Sequence, residues 1–88
     1  MANNEVYSYT NLTASANVKT GFGSLGGIFC ASSSSATVTI YDNTAASGTV
    51  IIGTFALVAG TPYPFPCGFQ NGCYVSISGT ANITVFWI

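Results

Sequence analysis

The chain has 88 residues, of which only 3% are charged, and its formal net charge is −1. Ordinary globular proteins carry about a quarter charged residues, so the polar surface here must be built from Ser, Thr, Asn and backbone. One Lys and no Arg cannot make a basic face for phosphates, which excludes nucleic acid as a partner. No run approaches the roughly 18 apolar residues of a membrane-spanning helix, so no membrane partner is expected either.

The length predicts one domain, and a domain this small is marginal alone and gains from partner subunits. Near-zero net charge promotes association. Together they point to a chain that works inside a permanent assembly. The start, "MANNEVYSYT", lacks the basic and apolar regions of a signal peptide. Synthesis in the cytoplasm of the producing cell is therefore the expectation.

Period-two alternation dominates and no helical pattern is visible, which predicts an all-β fold: a compact antiparallel β-sandwich or barrel, jelly-roll-like, of about 6–8 short strands. Residues 1–20 alternate weakly at Val6, Tyr7 and Tyr9 and are expected to form an N-terminal arm or an edge strand. Residues 21–88 are expected to form the sandwich. "GSLGGIFCA" predicts a strand in which Gly26 and Gly27 mark a bulge or a close backbone approach. The serine run at 32–35 predicts a solvated loop. "ATVTIYD" sets Val38 and Ile40 on one face and Thr37, Thr39 and Tyr41 on the other. Asp42 then opens a turn, where an Asp side chain can bond backbone N–H groups two residues on.

"TVIIGTFAL" predicts the next strand, and "TPYPFPCGF" the one after. Pro62, Pro64 and Pro66 alternate, so their missing donors fall on one side, and this segment must be an edge strand or an extended rim. Tyr63 and Phe65 then share a face, either filling the core at the rim or meeting a subunit or ligand. Cys67 and Cys73 bracket "GFQNG", a hairpin signal that would set them opposite each other as a candidate disulfide; the alternative is reduced thiols acting as small hydrophobes. "CYVSISG" predicts a strand, "SGTAN" a turn, and "ANITVFWI" the last strand, with Ile83, Val85 and Trp87 on one face and Phe86 and Ile88 on the other.

The chemical inventory is sparse. The chain has no His, and Asp and Glu total two, which leaves no acid–base pair. The three cysteines (Cys30, Cys67, Cys73) match no zinc spacing. The expectation is a protein that is not an enzyme and takes no cofactor and no metal.

"TVTIYDNTAASGTVI" followed by "GTPYPFPCGFQNGCYVSISGTANITVFWI" resembles a family of small virion proteins of tailed bacteriophages. The resemblance lies in a strand ending in a Tyr-Asp-Asn-Thr turn with Ser-Gly-Thr after it, then a Pro/Phe segment, an Asn-Gly turn, a second Ser-Gly-Thr and a final Thr-Val strand. It covers residues 21–88; the cysteines and the bulky ending depart from it. This family is similar to capsid decoration (cement) proteins and head-fibre modules, and the resemblance implies a homotrimeric β-sandwich on the outer capsid surface that binds the major capsid protein and stabilises the shell. The residues expected at subunit contacts are Tyr63, Phe65, Phe86, Trp87 and Ile88. Those expected to reach the shell are Asn3, Asn4, Val6, Tyr7 and Tyr9. The alternatives are a head- or tail-fibre module recognising a host-surface glycan through Tyr, Trp, Asn and Asp, and a small secreted lectin-like domain, which would carry the Cys67–Cys73 disulfide.

Overall fold

A computed structural model describes residues 7–88. Asn3, Asn4 and Val6 lie outside the described residues. Six strands form one antiparallel sheet: β1 (Ser8–Leu12), β2 (Ala16–Thr20), β3 (Gly23–Asp42), β4 (Thr49–Ala56), β5 (Thr61–Phe69) and β6 (Gly72–Trp87).

Two strands are long. β3 and β6 pair with each other from Leu25↔Trp87 to Tyr41↔Tyr74. Each is flanked by two short strands, one along each half of its length. β1 pairs with β6 at residues 83–87, and β2 pairs with β6 at residues 72–75. β5 pairs with β3 at residues 23–30, and β4 pairs with β3 at residues 37–42. The molecule is therefore a first half-sheet, β1–β6–β3–β5, and a second half-sheet, β2–β6–β3–β4, that share their two central strands.

The sheet folds over where the long strands bend. There the β3–β6 register shifts between Ser34 and Thr37, Ser35 takes φ 53° and Gly79 takes φ 95°. A Cβ on Gly79 would lie 2.8 Å from the Ser35 carbonyl oxygen, so only glycine lets the two strands cross this corner. This corrects two expectations. The serine run at 32–35 is not a loop but part of β3, and "SGTAN" is not a turn but part of β6. Their polar, small residues mark an exposed corner, which carries the same composition as a loop. Ser15, between β1 and β2, completes the corner: its hydroxyl accepts from the Ile77 N–H at 2.7 Å.

Folding over buries one face of each half. Leu25, Ile28, Cys30, Ile83 and Val85 from the first half meet Val38, Ile40, Cys73 and Val75 from the second in a single core. The open side is closed by rings: Phe55 of β4 sits 5.1 Å from Tyr63 and 5.4 Å from Phe65 of β5. The Tyr63 hydroxyl accepts from the Val58 N–H at 2.8 Å, so its polar end is satisfied. The radius of gyration, 12.4 Å, matches the roughly 12 Å expected of a compact chain this long.

Among the described strands β5 is an edge strand, bonded to β3 alone, as its prolines require. Pro64 lies opposite Gly27 and Pro62 opposite Phe29, and the nitrogens without donors face the free edge. The glycine bulge is also where the sequence placed it, with the register shifting between Leu25 and Gly27 against both neighbours.

The hairpin expected around "GFQNG" does not form. β5 lies in the first half-sheet and the start of β6 in the second, so Gln70 and Asn71 arch between layers rather than joining neighbours. Cys67 and Cys73 both face inward, and all three cysteines are free thiols. Asp42 also departs from its expected local role. Its carboxylate accepts from the Gln70 N–H at 3.0 Å and the Asn71 N–H at 2.7 Å, clamping that distant arch. The local turn is held by Asn43, which accepts from the Thr44 N–H and donates to the Ser47 carbonyl at 2.9 Å.

Candidate functional site

The two outer faces of the sandwich differ in chemistry. On the second half-sheet the outward pairs are Thr37↔Ser78, Thr39↔Ser76 and Tyr41↔Tyr74, with the Thr39 and Thr54 hydroxyls 2.6 Å apart. That face is rich in hydroxyls, with Val50 exposed beside Tyr41. On the first half-sheet large apolar groups dominate the outward face, beside the polar Asn11 and Thr84. One row across the strands reads Tyr9, Phe86, Gly27, Pro64, and the next reads Asn11, Thr84, Phe29, Pro62. Ile88 and Tyr7 extend the face at its end and are exposed.

The bulge creates this face. Alternation through β3 puts Leu25 inward. Gly26 is the extra residue, and after it Ile28 and Cys30 face inward while Phe29 turns outward. The Tyr7 ring lies over Gly26, where an added Cβ would come within 3.0 Å of it. Gly27 is the floor of a shallow groove of about 360 Å³, walled by Phe86 on one side and Pro64 on the other, with Phe29 and Pro62 beyond. Gly27 has φ 152°, and a Cβ there would lie 2.6 Å from the Tyr63 carbonyl oxygen. Only glycine lets β3 come this close to the β5 backbone beside the groove.

Each residue singled out from the sequence can now be placed. Phe86 is 37% exposed and Ile88 49%, both on the apolar outer face. Tyr9, 73% exposed, stands beside Phe86 on β1. Trp87 points the other way, packs against the core, and donates from its indole N–H to the Thr10 hydroxyl at 3.0 Å. Lys19 Nζ lies 6.0 Å from its ring centroid, at the outer limit of a cation–π contact. Tyr63 and Phe65 are half-buried in the ring cluster with Phe55 and fill the chain's own core at its open side. The surface thus unites Phe86 and Ile88 with Tyr7 and Tyr9, which the sequence had divided between subunit and shell contacts. Phe29 and the Pro62–Pro64 wall were not foreseen as part of it; the signal was the bulge, which reverses which side Phe29 faces.

The titratable groups lie elsewhere. Burial pushes the Cys73 thiol up to about 11, aided by Cys67 and Asp42. Burial also raises Cys67 and Cys30, the latter partly offset by a backbone hydrogen bond at Ser32. The backbone N–H of Asn71, then those of Gln70 and Gly72, hold Asp42 below the usual carboxylate range against a smaller opposing effect of burial. Among the described residues no three His, Cys, Asp or Glu side chains gather as metal ligands do, and no helix is long and apolar enough to cross a membrane. Compared with protein-family models, with curated proteins and with solved structures, the chain matches none.

Proposed function

We propose that this chain is a structural virion protein: a capsid decoration (cement) protein that binds the outer surface of a tailed-phage head as a homotrimer and stabilises the shell. The observation that carries this reading is the apolar outer face of the first half-sheet, on a chain with three charged residues. Large exposed apolar patches mark interaction sites. The resemblance of residues 21–88 to small phage virion proteins supplies the address. A decoration protein performs no chemistry. It repeats one modest contact at many symmetry-related places, and the sum is strong. By binding the assembled shell only, it stabilises that shell by mass action.

Image reconstruction of the virion tests this directly. Hundreds of copies spread over the head are expected, contacting the major capsid protein. Copies confined to a tail or a single vertex would overturn it and favour the second reading, a fibre module that binds a host-surface glycan. The hydroxyl face gives that reading its own support, since the Tyr41↔Tyr74 pair sits next to Asn17 in one cross-strand row, and rings beside amide and hydroxyl groups suit sugars.

A further inference from the structure

We propose that the groove over Gly27 is a socket for Tyr9 of a second copy of this chain. The two features lie in one row across the strands, Tyr9–Phe86–Gly27–Pro64. Neighbouring strands are about 4.8 Å apart, so the protruding ring and the glycine floor stand at equal distances on either side of Phe86. A symmetry axis running along the strands above Phe86 therefore carries the Tyr9 side of one face onto the Gly27–Pro64 side of the next. Phe86 meets its own copies near the axis. The contact is the same in kind for two copies face to face and for three arranged as a prism.

Three observations favour a copy of this chain over another occupant. First, the face is self-complementary in shape: a ring 73% exposed and an open groove belong to the same row. Second, neither described charged side chain, Lys19 or Asp42, is among the residues of that row or of the groove, so among the described residues face against face brings no like charges together. Third, the face gathers five large exposed apolar side chains, Tyr7, Tyr9, Phe29, Phe86 and Ile88, a patch of the kind that subunits cover in each other. This rests on the self-association in the proposed function and is independent of the virion address.

The test uses purified full-length protein. Tyr9→Ser alters an exposed ring, so the fold is expected to survive, as circular dichroism would confirm. The apparent dissociation constant of the oligomer, followed by light scattering, should rise at least about tenfold. In parallel, Tyr9→Cys chains mixed with Pro64→Cys chains should form an inter-chain disulfide under mild oxidation. Tyr9→Cys chains mixed with Thr54→Cys chains, which carry the thiol on the hydroxyl face, should not. A wild-type protein that stays monomeric at every concentration would overturn the proposal. So would a Tyr9→Ser protein that associates like wild type, or equal cross-linking to both positions. Failure of the decoration reading shows instead in the virion image, which leaves these solution results untouched.

Discussion

At the residue scale, two glycines make opposite predictions. Gly27→Ala forces a Cβ to 2.6 Å from the Tyr63 carbonyl and 3.1 Å from the Pro64 Cα at a left-handed φ. Overpacking and backbone strain of this kind cost about 1–3 kcal/mol, visible as a lower denaturant midpoint. Gly53→Ala meets nothing within 4 Å and should shift stability by less than about 0.5 kcal/mol. Asp42 predicts a pH dependence. Its carboxylate is held below its ordinary value of 3.8 in the folded chain. The stability it adds is therefore present above that value and is lost as the pH falls through the lower, folded value. Asp42→Asn should remove that part of the acid slope in urea titrations, while the two proteins differ by a constant amount at neutral pH. The thiols give a further check. Cys30 and Cys73 are fully buried and Cys67 only partly so. A thiol reagent should reach Cys67 first in the native protein and all three cysteines after unfolding. Non-reducing mass spectrometry should find no internal disulfide.

At the element scale, β3 and β6 carry the sheet: β6 pairs with β1, β2 and β3, and β3 with β4, β5 and β6. Ile83 of β6 has no exposure, and Ile83→Ala should cost about 2–5 kcal/mol. β5 depends on its prolines to stay unpaired. Replacing Pro62, Pro64 and Pro66 with threonine restores three donors on an open edge, and concentration-dependent association by light scattering is the expected result. Much at this scale was legible in the sequence. The alternation in "ATVTIYD" and "ANITVFWI" named the buried sides of β3 and β6, the prolines named the edge, and Gly26–Gly27 named the bulge. The continuity of the long strands was not legible. A serine run and a Ser-Gly-Thr both signal a turn in local composition, yet here they lie opposite each other and bend together. Only their pairing, from Ser32↔Asn82 to Thr37↔Ser78, distinguishes a corner from a loop. The same blindness hid the arch at Gln70–Asn71, because a turn residue does not say whether it joins neighbours or layers.

At the scale of the whole molecule, the sandwich has two broad faces of unlike character, and the difference decides how it can assemble. An apolar face wants a permanent partner and a hydroxyl face is at ease in water. If the apolar face is taken up between copies, the hydroxyl faces and the strand edges are left to meet anything else, including a shell or a sugar. Phe29→Ser tests this division, since Phe29 borders the groove and is partly exposed. It should weaken self-association measured by light scattering while leaving the Tyr41–Tyr74 face unaltered.

The placing of β6 has a consequence for how the protein is born. The first strands made, β1 and β2, find their only ladder partner in the last one made, with Ser8 opposite Trp87. Until β6 has been made, neither half-sheet can be completed, and only the β3–β4 and β3–β5 ladders are available to the growing chain. The order of assembly therefore runs against the order of synthesis: β3 can gather β4 and β5 as they emerge, whereas β1 and β2 stay without a ladder until β6 follows.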